Sequence, residues 1–202
     1  MENAREQDSD ALKMLAIASD MIARTKSTVV DRSAHYLVWG ALLFVACIST
    51  SILELRAPGR EVWLPWAILM PIGGIVSGVL TIRHRNRAHV QTYAEHTYDG
   101  VWLATGIAAA VILFGNPIVH YFPPRATYVL ISLLAGIAVY SSGHIMGLLS
   151  FKLGGLSWWC GAVIMMLLPD KYHPLIMASI VIPGYLVPGY LLWRSARSLN
   201  AK

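Results

Sequence analysis

Apolar residues in this chain run in long blocks. Six blocks suit the roughly 20 residues that a helix needs to cross a bilayer core: Tyr36 to Leu53, Trp63 to Ile82, Gly100 to Phe114, Thr127 to Leu149, Leu153 to Leu168 and Pro174 to Trp193. The third is short unless Tyr98 and Asp99 sit at headgroup level, and the fifth is also short. Only Ser150-Phe151-Lys152 separates the fourth block from the fifth, a turn so tight that these two helices are antiparallel neighbours. Short connections throughout predict one all-α polytopic membrane domain of six transmembrane helices over residues 35–195, with a polar segment before it (1–34) and a short tail after it (196–202).

The polar segment has a pattern of its own. Leu12, Leu15, Ala18 and Ile22 recur at helical spacing, with Met14, Ile17 and Met21 widening the stripe. An amphipathic helix is expected from Asp8 to Thr28, with Ser9 or Asp10 capping its start. It lies on the membrane surface, docks under the bundle or pairs with a partner.

Composition agrees with the blocks. The chain of 202 residues is 56% hydrophobic and 13% charged, whereas a soluble domain carries about 25% charged residues. The net charge of +5 would suggest nucleic acid in a soluble protein, but here the positive residues flank apolar blocks and topology explains them. Of the 16 Lys and Arg residues, all but Arg56, Arg60, Arg125 and Lys171 fall in the N-terminal segment, the second and fourth loops and the tail. The positive-inside rule makes that side cytoplasmic, with both termini on it. Trp63, Trp66, Tyr121, Phe122 and Trp193 mark the block ends, as interfacial aromatic residues do. Cys47 and Cys160 lie inside apolar blocks and form neither a metal knuckle nor a disulfide framework. The polar start lacks the leading apolar run of a cleavable signal peptide.

Several stretches carry a resemblance by their order: Leu37-Val38-Trp39-Gly40, Met70-Pro71-Ile72-Gly73-Gly74, Ser142-Gly143, Phe151-Lys152, Gly154-Gly155, Trp159-Cys160 and Ile182 to Leu192 with its Pro183-Gly184-Tyr185 and Pro188-Gly189-Tyr190 repeats. Together they resemble a group of small bacterial inner-membrane proteins with an amphipathic N-terminal helix and a six-helix bundle ending in a Pro-Gly motif. The resemblance implies a multi-pass protein of the bacterial inner (cytoplasmic) membrane. The group has no assigned activity, so it implies no cofactor and no reaction.

No nucleotide-binding loop, metalloprotease or hydrolase motif occurs, and no carboxylate sits near the centre of a block, where ion-coupled transporters usually carry one. The candidate polar cluster is on the cytoplasmic half: His96 and Asp99 share a helical face at the start of the third helix, and Tyr140 and His144 lie near the end of the fourth. Asp99 and His144 are expected to turn into the bundle, with His144 bonding a neighbouring hydroxyl such as Ser141 or Tyr140 on the plain reading and a ligand- or proton-linked site as the sharper one. A metal there is a further alternative, and on the plain reading His96 and Asp99 are solvated at the interface. His173, on the far loop, is expected to be dispensable. Pro183, Gly184, Pro188 and Gly189 predict a kink or local unwinding in the sixth helix. Gly74 to Gly78 and Gly143 to Gly147 are GxxxG matches, read as intramolecular packing or a homodimer face. Trp158-Trp159 is expected to be an interface anchor or the lining of a lipid groove.

These features point to a non-catalytic integral membrane protein, an accessory subunit or small membrane sensor acting through its cytoplasmic helix and basic loop. The rival is a small transporter or channel with the kinked sixth helix and the His/Asp cluster lining its path. The expected partners are the lipid bilayer and a second copy or another membrane protein, without nucleic acid.

Overall fold

The computed structural model describes residues 33–56, 63–85 and 93–198, and every element in them is helical. The amphipathic stretch Asp8 to Thr28, most of the basic loop with Arg87 and His89, and the last four residues lie outside the described residues. In chain order, α1 spans Ser33–Arg56, α2 Leu64–Arg85 and α3 Tyr93–Ala110. A π-helical turn, Val111–Gly115, joins α3 to the short α4, Asn116–Val119. Then come α5, Pro124–Ile145, and α6, Leu149–Leu167. A 3-10 turn, Asp170–Tyr172, leads into α7, His173–Val181, and a second π-helical turn, Ile182–Leu186, joins α7 to α8, Val187–Ser198. Among the described residues, six helical segments are long and apolar enough to cross a membrane. They are α1, α2, α3 with its π turn, α5, α6 and the composite of α7 and α8, here the sixth span.

Two boundaries differ from the sequence expectation for identifiable reasons. The third helix begins at Tyr93, well before Gly100, because polar residues do not stop a helix and Glu95 in its first turn suits the positive end of the helix dipole. The fourth helix stops at Ile145. The turn to α6 is Met146 to Leu148, so Ser150-Phe151-Lys152 belongs to the first turns of α6 instead of forming the turn. Gly147 has φ +68. The amide of Leu148 bonds the Gly143 carbonyl at 3.0 Å and that of Gly147 the His144 carbonyl at 3.3 Å. This pair of bonds around a left-handed glycine is the Schellman helix stop. Gly147 of the second GxxxG match is therefore a terminator.

Burial is uneven. In the apolar windows of α5, α6 and the sixth span, 44%, 39% and 50% of residues are buried, against 6% in both α2 and α3. The core is thus centred on α5, α6 and α7–α8, and α1, 28% buried, adds Tyr36, Leu43, Ala46 and Cys47 to it. Small residues allow its close packing, as expected where packing rather than water exclusion holds helices together. Gly155 lies against the Tyr140 backbone and Gly143 against that of Lys152. A Cβ at Gly161 would collide with Ile180, and one at Gly184 with the Trp158 indole. α1 packs on this unit through Gly40 against Leu186 and Gly189 against Tyr36. α2 leans on α1, where the Trp39 indole donates to Ser77 Oγ at 2.7 Å.

Candidate functional site

The chain alternates direction, so one end of the bundle collects the start of α1 and α3, the end of α5 and the start of α6. At this near end lies an aromatic nest. The Tyr36 ring stands edge-on to Phe151 at 4.6 Å and to Trp102 at 5.6 Å. Tyr185 lies 5.7 Å from Tyr36 and 5.3 Å from Trp158. A hydrogen-bond chain runs through the rings. Tyr98 Oη donates to Tyr36 Oη at 3.3 Å, and Tyr36 lies near Ser142. The Trp102 indole donates to Ser142 Oγ at 3.0 Å, and Ser142 passes its own hydrogen to the Ala138 carbonyl at 2.7 Å. Ser142 is fully buried. The chain ends on a backbone carbonyl one turn back, so the hydrogens of Tyr98, Trp102 and Ser142 have acceptors inside the protein. That arrangement is a lock between α1, α3 and α5.

The opposite, far end holds a second polar group. Trp66 in the first turn of α2 stands edge-on to Tyr128 of α5 at 6.0 Å, and Tyr128 edge-on to His173 at 6.2 Å. Cys47 and Glu54 of α1 lie within electrostatic reach of Tyr128. The Trp66 indole N–H is turned toward the Tyr128 hydroxyl without closing a hydrogen bond of standard length.

The residues singled out from the sequence fall elsewhere. His96, Asp99 and His144 are exposed. The expectation that Asp99 and His144 turn into the bundle is therefore corrected. The face of α5 that packs carries Ala135, Ala138, Val139 and Ser142, and His144 projects about 200° around the helix from Ser142 at the usual 3.6 residues per turn. On α3 the inward positions are Tyr98, which is buried, and Trp102, which packs with it, leaving Asp99 about 100° away. His144 stacks edge-on with half-buried Tyr140 at 5.1 Å, and Tyr140 with Trp159 at 5.3 Å, a ladder on the outer surface of α5 and α6. The expected dispensable histidine is the buried one: His173 is 3% exposed. Among the described residues, no three His, Cys, Asp or Glu side chains converge as a metal site.

In the sixth span, Pro183 lies on the surface and Gly184, Pro188 and Gly189 are buried. The π-helical turn falls on this motif, with the Val187 amide reaching back to the Ile182 carbonyl. A proline has no N–H to give the carbonyl one turn earlier, and a five-residue register is the local answer. The Pro183 and Gly184 carbonyls abut the Cα of Gly154, so α6 covers them. Trp158 is fully buried and Trp159 half-buried, with the Trp159 indole N–H on the Leu133 carbonyl at 3.3 Å. Trp158 is thus a core residue and not an interface anchor. A shallow groove of about 340 Å³ runs between α6 and the sixth span, past Ser157, Cys160, Ile176 and Pro183.

Both polar nests escaped sequence reasoning. The available signal was tyrosine in or beside the apolar blocks, Tyr36, Tyr98, Tyr128 and Tyr185, of which Tyr98 read as a headgroup-level residue and Tyr185 as part of the Pro-Gly motif. No family model matches the chain, and no curated protein and no solved structure matches it.

Proposed function

We propose that this chain is a non-catalytic integral membrane protein that serves another membrane protein as an accessory or sensing subunit, with α2 and α3 as the docking face. The contrast in burial carries this reading. The core unit of α5, α6 and the sixth span, with α1 against it, is well buried, whereas the apolar windows of α2 and α3 are almost wholly unburied among the described residues. Gly74, Gly78, Gly100 and Gly106 are open on them, with no other atom of the described residues near enough to meet a Cβ. Open glycines on apolar helices permit close approach by a partner helix. The packed near-end lock and the exposure of His144 argue against a polar path through that end. The amphipathic segment and the basic loop, expected on the cytoplasmic side with both termini, are the parts that would carry a signal onward.

The π-helical turn in the sixth span favours a second reading, transport, because broken helices line transporter sites. One experiment separates the two. The pure chain in liposomes with an entrapped pH dye passes neither protons nor small solutes. A photo-crosslinker at Ile75 on α2 in native membranes gives a protein adduct that Gly78→Leu abolishes, while one at Leu153 on α6 gives lipid adducts alone. Flux through the pure chain favours transport, and lipid adducts alone at Ile75 remove the docking face.

A further inference from the structure

At the near end Tyr98, Trp102 and Ser142 give their hydrogens to acceptors within the protein. At the far end several polar atoms have no such partner. Thr50 Oγ1, Trp66 Nε1, Ser132 Oγ and His173 Nδ1 are shut off from solvent and make no hydrogen bond within the described protein. Thr50, Ser132 and His173 are at most 3% exposed. These residues belong to one region. Trp66 and His173 flank the Tyr128 ring, and Ser132 is one turn from Tyr128 on α5. Thr50 lies one turn from both Cys47 and Glu54 on α1, the two residues within reach of Tyr128. The fifth unpartnered atom, Trp158 Nε1, belongs to the core of the other nest.

Two observations set these atoms apart from ordinary buried hydroxyls. A serine or threonine in an apolar helix usually spends its hydrogen on the carbonyl one turn back. Ser51, Thr105, Ser142 and Ser179 do so at 2.7–3.0 Å, and Thr50 and Ser132 do not. The histidine has a fixed tautomer as well. His173 Nε2 lies 3.2 Å from the Leu168 carbonyl, which can only accept, so Nε2 carries the hydrogen. In the neutral ring Nδ1 is then a bare lone pair. The region therefore offers an acceptor at Nδ1, an indole donor and two hydroxyls that serve as either. Leaving such groups dry forfeits their hydration without return.

We propose that this far-end cluster is a water-binding site, in which water admitted past Glu54 and Tyr128 bonds Thr50, Ser132 and Nδ1 of His173. Water is the guest that fits, because the polar atoms are shut off from solvent and lack partners within the described protein. Entry needs movement of the Trp66 or Tyr128 ring, the two half-buried side chains of the group. Trp66 sits on α2, of whose apolar window only 6% is buried. Buried water characteristically makes about three bonds to otherwise unpaired groups, and this set supplies them from α1, α5 and α7. The site does not depend on the docking role of α2 and α3.

The test uses the full chain in nanodiscs. A hydroxyl-radical pulse generated by X-rays oxidises side chains beside bound water. Cys47 and Trp158 are both fully buried and both reactive. Cys47 is expected to be oxidised and Trp158 spared. Thr50→Val and Ser132→Ala are each expected to lower Tm by a few degrees and to protect Cys47, since each removes a partner of the water. A dry site gives the opposite sign, because these substitutions then delete an unsatisfied group. An unoxidised Cys47 in the unmodified chain, or an unchanged or raised Tm in the Thr50→Val variant, overturns the proposal.

Discussion

Ser142 is the residue on which the near-end lock depends. It accepts from Trp102 and gives its hydrogen to Ala138. Ser142→Ala therefore strands the Trp102 indole N–H and removes the bond to Ala138, while Tyr98→Phe removes the donor of the 3.3 Å bond to Tyr36. A buried donor left unpaired costs about 1–3 kcal/mol, against about 1 kcal/mol for a typical neutral hydrogen bond. Thermal unfolding in one detergent should rank Ser142→Ala below Tyr98→Phe, with Ser141→Ala, at a half-buried neighbour, close to the unmodified chain. An equal Tm for Ser142→Ala and Ser141→Ala would remove the lock. A similar argument applies to Asn116, which closes the loop after α4 by donating Nδ2 to the Phe122 carbonyl at 2.9 Å and accepting from the Phe122 amide at 3.0 Å. At this scale the sequence was least legible. Histidine and aspartate drew attention by their chemistry, yet in a bundle the inward face is set by the whole helix. A helical turn displaced by two residues sends His144 outward where Ser142 points in.

Among the elements, glycine separates into roles that a pattern match does not distinguish. Gly143 is a close-packing site, Gly147 a helix stop, and Gly74 and Gly78 open surface. The contacts that draw α6 to its neighbours use Gly154, Gly155 and Gly161. A valine at Gly161 meets Ile180 on α7, and overpacking of this kind costs about 1–3 kcal/mol. A valine at Gly78 meets nothing. Gly161→Val is expected to lower Tm by several degrees and Gly78→Val to leave it within error, both measured in the monomeric, detergent-purified chain. The reverse order would mean that α6 and α7 are not apposed as described. The six helices themselves were legible from block length and hydropathy, because an apolar run of that length has few alternatives. Their ends were less so. Apolar residues run straight through the stop at Gly147, and polar residues of α3 begin a full helical stretch before Gly100.

For the molecule as a whole, six antiparallel spans give the two polar nests their places. The near-end lock joins starts of odd spans to the end of α5, and the far-end cluster joins the starts of α2, α5 and α7 to the end of α1. An odd number of spans would put the two termini at opposite ends and split the basic residues. With six, the start of α1, the end of α2, the α5–α6 turn and the end of α8 share the near end, and the sequence segments that adjoin these points hold twelve of the 16 Lys and Arg residues. Lys and Arg are held back on the cytoplasmic face during insertion, so the near end is expected to be cytoplasmic. A reporter fused after Lys202 should then read as cytoplasmic and one fused in the exposed loop at His120 as external. Lys202 and His120 reporting the same side would break the six-span count. Opposite sides in the inverted sense would keep the count and reject the charge argument, placing the water-binding cluster at the cytoplasmic face.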